Sequence, residues 1–160
     1  MTDSNLATMH RRIADRLGRR SAIRYKAHGL YHDVSWSDYR DQADRAAGGL
    51  IGLGVRPGDR VGLLAENGFE WCVADLAILS AGAIDVPMHA PLVPNQVAYQ
   101  LRHSGARGVI VSHQGQADKV LAVRGELPAL EWLVSFAPVD AGGRIRQWTW
   151  DGLKHAGHRL

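Results

Sequence analysis

Residues 60–87 read RVGLLAENGFEWCVADLAILSAGAIDVP, and this stretch decides the fold. After its arginine, the segment Arg60 to Ala65 is an apolar run that does not alternate, the pattern of a strand covered on both faces. Asn67, with Glu70 three residues later, makes a capping pair for a helix from Gly68 to about Ser80. Phe69, Cys72, Val73, Leu76 and Leu79 line the inner side of that helix. Gly82 ends it, and Ala83 to Val86 is a second strand, stopped by Pro87. Strand, helix, strand requires a crossover and therefore a parallel pairing.

The same rhythm continues downstream. Pro94 suits the first turn of a helix running to about Ser104, followed by a strand from Arg107 to Ser112. A helix from about Gln116 to Glu126 ends before Pro128, and Glu131 to Phe136 is another buried strand. The fold class is therefore α/β, a mostly parallel sheet with helices on both faces. Pro138 to Arg146 reads as a linker, Trp148 to Trp150 as an isolated strand, and Asp151 as the cap of a short final helix with little to pack against. Upstream, Ala22 to Tyr25 and Val34 to Trp36 form a hairpin across Lys26-Ala27-His28-Gly29. Ser37 is placed to cap the next helix, on which Tyr39, Ala43, Ala46, Ala47 and Leu50 recur, until Gly54 closes it and Pro57 prevents continuation. The chain thus divides into an amphipathic helix over 1–20, a partial α/β unit over 21–137, and a linker with a terminal strand and helix over 138–160.

Hydrophobic residues at 46% and charged residues at 22% place the chain among soluble globular proteins. No apolar run reaches membrane length, and Met1 to Leu6 lacks the pattern of a secretory leader. Cys72 is the only cysteine, expected as a buried free thiol in a reducing cytoplasm. The net charge of +3 is local: residues 1–26 hold seven Lys or Arg against Asp3 and Asp15, while the rest holds twelve bases against fourteen acids. A basic domain, and with it a nucleic-acid partner, is not expected. Leu6, Met9, Ile13 and Leu17 recur at helical spacing with arginines mostly opposite. Such a helix docks its apolar stripe on its own domain, the favoured reading, or makes weak peripheral contact with anionic lipid, or serves as a transit peptide.

Chemistry-bearing motifs are sparse. Neither G-x-G-x-x-G after a strand nor G-x-x-x-x-G-K-[ST] occurs, and Gly49-Leu50-Ile51-Gly52-Leu53-Gly54 reads as helix packing and a C-cap. An anion at the helix start after Asn67 would meet Glu66 and Glu70. The polar turn Ser112-His113-Gln114-Gly115, within reach of Lys119, is either a solvated loop, the favoured reading, or a contact for a phosphate or pantetheine-like group. His155 and His158 share a helix spacing but match no zinc pattern, and a frayed tail is expected there. Ser80 and Ser112 lack a nucleophile elbow, and Asp59 in its Pro57-Gly58 turn is expected to bond backbone amides. No catalytic, cofactor-binding or metal-binding residue is assigned.

Three phrases carry a resemblance over about Ser21 to Glu131. They are Val34-Ser35-Trp36-Ser37-Asp38-Tyr39, Gly54-Val55-Arg56-Pro57-Gly58-Asp59-Arg60-Val61, and Glu66-Asn67-Gly68-Phe69-Glu70-Trp71 continuing to Gly82-Ala83-Ile84-Asp85-Val86-Pro87. They resemble the N-terminal region of AMP-binding, adenylate-forming acyl-CoA synthetases. Pro94-Asn95-Gln96-Val97-Ala98-Tyr99 and Asp118-Lys119-Val120-Leu121 are most similar to the bacterial long-chain fatty acid–CoA ligases. The resemblance implies an ATP- and Mg-dependent activation of a fatty acid to an acyl-adenylate, then transfer to coenzyme A. It also implies that the phosphate loop and C-terminal lid domain have no counterpart here, so the chain alone is expected to be inactive and to bind none of these cofactors tightly. Three readings stand: a ligase fragment, one half of a split ligase pairing with the missing remainder, or a non-catalytic module that binds acyl chains, coenzyme A or a protein.

Overall fold

Val61 to Ala65, Gly108 to Val111 and Trp132 to Ser135 are buried at every residue, as runs without alternation must be when layers cover both sides. The computed structural model describes residues 5–157. The sheet consists of β3 (Arg60–Leu64), β4 (Ile84–Met88), β5 (Gly108–Val111), β6 (Trp132–Ser135) and β7 (Arg146–Thr149), all parallel, in the order β4-β3-β5-β6-β7. On one face Val61, Leu63, Ile110, Trp132 and Val134 pack against α2 (Trp36–Gly52), α3 (Phe69–Ser80) and α6 (Trp150–Gly157). On the other, Leu64, Val109, Val111 and Leu133 meet α4 (Pro94–Ser104) and α5 (Gln114–Ala122). Successive residues of each strand thus feed opposite cores. Gly108 pairs with Trp132, and a Cβ there would collide with the indole ring.

An antiparallel hairpin, β1 (Ser21–Ala27) and β2 (Leu30–Ser35), precedes the sheet. Its two-residue loop puts both His28 (φ 50°) and Gly29 (φ 81°) in the left-handed region, which matches the twist of the flanking strands. The first helix, α1 (Leu6–Leu17), rests on α2 and α3.

Several local expectations are corrected. β2 reaches Ser35, so Ser35 rather than Ser37 caps α2, its Oγ accepting from the Asp38 N–H at 3.1 Å. Gly68 occupies the N-cap of α3 without a side-chain bond, so Asn67 and Glu70 form no capping pair. Cys72 and Leu79 are only half-buried while Ala74, Ala77 and Ile78 lie in the core, because α3 is apolar nearly all round and its periodicity barely marks one face. Pro87 does not stop β4: this is an edge strand, so the missing N–H leaves no ladder bond unmade. The helix read from Gln116 to Glu126 is α5 followed by a 3-10 turn, Arg124–Glu126.

At the carboxyl end the isolated strand is instead β7, the fifth strand of the sheet, in register with β6 from Trp132–Arg146 to Ser135–Thr149. Thr149 rather than Asp151 caps α6, its Oγ1 accepting from Gly152 N–H at 3.1 Å. That helix does have a seat. Trp150 and Leu153 are buried, and Gly48 and Gly49 of α2 admit the backbone of Leu153 and Gly157. The glycine run therefore serves packing, with Gly54 (φ 91°) closing α2 as expected. The stripe of α1 is corrected too: Ala7, His10 and Ala14 are buried, whereas Leu6 is 60% exposed. The His10 ring meets Tyr39 edge-on at 4.6 Å.

Candidate functional site: the crevice between β3 and β5

Numbered within the parallel sheet, the strand order is 2-1-3-4-5, and the order reverses between β3 and β5. After β3 the chain enters α3 on one face; after β5 it enters α5 on the other. The two carboxyl ends diverge and leave a crevice, the usual ligand position in open α/β sheets. Glu66 lies at the end of β3, and Ser112 and His113 lie at the end of β5.

These residues close the crevice with their own hydrogen bonds. Ser112 Oγ donates to Glu66 Oε2 in a short bond, and Gln116 Nε2 donates to Glu66 Oε1 at 2.6 Å. His113 Nδ1 accepts the Gly115 N–H at 3.1 Å, which assigns the proton of the neutral ring to Nε2, 3.2 Å from Glu66 Oε1. Gln116 is buried and also donates to Ala90 O at 3.1 Å, an oxygen that Lys119 Nζ bonds at 2.7 Å. The other amide atom, Gln116 Oε1, is buried with no hydrogen-bond partner among the described residues. The turn at Ser112 to Gly115 is thus a clamp joining β3, β5, α5 and the loop after β4. Lys119 reaches that loop rather than the turn.

Partial burial pushes the Glu66 carboxyl up, but hydrogen bonds from Ser112 and Gln116, a backbone bond and the nearby His113 outweigh it and bring the pKa to about 2. A carboxylate so acidic is a poor general base, and His113 points at Glu66 rather than at Ser112. The arrangement accepts hydrogen bonds and favours cationic or donor-rich groups over phosphate. Beside it, a cleft of about 440 Å³ is lined by Glu66, Asn67, Trp71, Pro87, His89 and Ala90, among others. Because the folded pKa lies below the ordinary 4.5, the clamp's stabilisation is present above about pH 4.5 and is lost as pH falls through about 2. The Glu66 side chain is 48% exposed, so screening leaves about 1 kcal/mol. Glu66→Gln is expected to lose about this much at pH 7 and to flatten the stability profile between pH 4.5 and 2, measured by urea unfolding. An unchanged profile would refute the clamp.

Elsewhere, Asp59 Oδ2 accepts the Arg56 N–H at 2.9 Å, as its turn suggested, and additionally an Arg107 bond at 2.6 Å. Arg107 also grips Glu131 through two 3.0 Å bonds, tying the amino ends of β3, β5 and β6. Pattern reading missed Arg107 because its partners Asp59 and Glu131 lie 48 and 24 residues away along the chain. It also missed Asp85, a carboxyl in the middle of an apolar strand, which burial and then a hydrogen bond with Asp75 push up. Burial likewise pushes the Cys72 thiol up, away from the reactive range. His155 lines a polar groove with Asp38, Asp41, Arg45, Asp151 and Lys154 on a docked helix rather than a frayed tail, and His158 lies outside the described residues. No group of three metal-ligating side chains assembles among the described residues.

Residues 10–153 match the AMP-binding enzyme family, and the chain belongs to it. It is similar to the long-chain-fatty-acid–CoA ligase FadD15 of Mycobacterium bovis, 35% identical over 109 residues, covering 68% of this chain. It is also similar to a salicyl-AMP ligase/salicyl-S-ArCP synthetase of Mycobacterium tuberculosis, 40% identical over 114 residues and 69% of this chain. Among solved structures, the anthranilate CoA ligase AuaEII in complex with anthranoyl-AMP superposes with a TM-score of 0.81 and 27% identity, over 93% of this chain and 27% of that one. The chain spans 18% of the FadD15 length and 19% of the salicyl-AMP ligase length. The adenylate-forming resemblance read from the three phrases, and the α/β fold it implied, both hold.

Proposed function

We propose that this chain is the amino-terminal scaffold of an ATP-dependent acid–thiol ligase of the cytoplasm, acting on a long-chain fatty acid. In that reaction a carboxylate oxygen attacks the α-phosphorus of ATP, pyrophosphate leaves with Mg, and the coenzyme A thiol then displaces AMP from the acyl-adenylate. The observation that carries the reading is the family match over residues 10–153. The fatty acid is favoured by the FadD15 similarity, although salicylate and anthranilate appear in the names of other relatives. In this reading the scaffold performs no chemical step: Lys119 is committed to Ala90 O, and the crevice presents the Glu66 carboxylate. Polypeptide corresponding to the rest of the relatives would supply the phosphate-binding and acyl-binding groups.

Two measurements test this. The 160-residue polypeptide, given ATP and a panel of palmitate, octanoate, salicylate and anthranilate, is expected to show no ATP–pyrophosphate exchange above the protein-free blank. Exchange by the isolated chain would overturn the scaffold assignment. Grafted in place of the matching segment of the M. bovis ligase, residues 10–153 are expected to sustain palmitate-dependent exchange. A folded, soluble chimera without exchange would count against it.

A further inference from the structure

The docking of α1 leaves part of its apolar stripe unused. Ala7, His10 and Ala14 face the protein, while Leu6 and Met9 are 60% and 37% exposed. Arg16 lies seven residues after Met9, on the same side of the helix. Arg19 and Arg20 follow just past the helix end at Gly18, both exposed. The charges on the other flank are consumed within the fold: Arg11 pairs with Asp44 and Asp15 with Arg40, each at 2.6 Å. Arg16, Arg19 and Arg20 have no ion-pair partner among the described residues. Two exposed apolar side chains and Arg16 thus share one side of α1, and Arg19 and Arg20 follow at its carboxyl end, exposed and without an ion-pair partner among the described residues. These three arginines are among the seven Lys or Arg of residues 1–26.

We propose that this face of α1 is a contact surface for an anionic lipid bilayer, with Leu6 and Met9 entering the interface and Arg16, Arg19 and Arg20 meeting headgroup phosphates. Charge complementarity selects the partner: guanidinium forks bind phosphate bidentately, and the adjoining apolar pair needs a hydrocarbon boundary that a soluble polyanion lacks. The helix lies on the surface rather than crossing it, since no described helix is long and apolar enough to span.

Co-sedimentation of the full chain with vesicles of phosphatidylcholine containing about one-third phosphatidylglycerol tests this, against phosphatidylcholine alone. At about 1 kcal/mol per basic residue near such a surface, three arginines should strengthen partitioning about a hundredfold. Raising salt should weaken it strongly. Arg16→Glu/Arg19→Glu/Arg20→Glu should abolish the preference, and Leu6→Ser/Met9→Ser should weaken binding about tenfold, with unchanged circular dichroism in both. Absence of binding to anionic vesicles at low salt would overturn the proposal. So would binding that ignores Leu6→Ser/Met9→Ser, which would mark a general polyanion site. Dimerisation in sedimentation velocity that the apolar double variant abolishes would instead assign this face to a second copy of the chain.

Discussion

Gly108→Ala is expected to destabilise the protein by about 3 kcal/mol, read as a fall in the urea midpoint at unchanged slope. The cause is steric and local. Gly108 pairs with Trp132 in the centre of the sheet, and a methyl group there would overlap the six-membered ring of a side chain that is 1% exposed. The ring cannot retreat, because Trp132 is enclosed by the core beneath α2, α3 and α6. Trp132→Leu alone should cost about 3 kcal/mol through the cavity it leaves. Together the two changes should cost less than their sum by at least about 1 kcal/mol, since the smaller side chain makes room for the methyl group. Strict additivity would show that the ring is not the obstacle. Gly125→Ala, where a Cβ would meet nothing within 4 Å, serves as the control and should stay within about 0.5 kcal/mol.

The second large effect concerns the seat of α6. Gly49→Val would drive a branched side chain into the Leu153 carbonyl and side chain, and Gly157 leaves no slack because it abuts the Arg45 carbonyl and the Gly49 amide. The helices cannot separate without uncovering Trp150 and Leu153, both buried. A loss of about 3 kcal/mol is expected. Amide exchange should localise the damage: protection should fall first in α6 and β7, ahead of β3 and β5. Uniform loss of protection would mean that α6 is not a separable unit, and full stability would mean that the glycines do not set the crossing.

The clamp at the crevice was legible only in part. The Ser112 to Gly115 turn stood out by its polarity, and Glu66 by its position as a charge unfavourable to phosphate. Nothing in either segment announced that they hydrogen-bond each other, because 46 residues separate Ser112 from Glu66 and the parallel pairing of β3 with β5 brings them together. The sequence pattern starts a helix at about Gln116, whereas α5 begins at Gln114 and buries the Gln116 side chain against Glu66 and Ala90.

By itself the sequence determined the order of elements, the parallel sheet and the family, since unbroken apolar runs, helical spacing and Gly or Pro punctuation all report local conformation. Tertiary structure decided the rest. β7 carries Arg146, Gln147 and Thr149, all exposed, so the sequence offers only an isolated strand over Trp148 to Trp150; pairing with β6 starts the strand at Arg146 and places it in the sheet. α6 appeared to lack a partner because its seat is built from Gly48 and Gly49, about a hundred residues earlier, where the absence of side chains is what allows contact. On α1 the exposed Leu6 and Met9 give way to Ala7, His10 and Ala14, because α2 and α3 cover the side of the helix that those three share. Spacing along the chain records which residues are apolar; the shape of a distant surface selects which of them are buried.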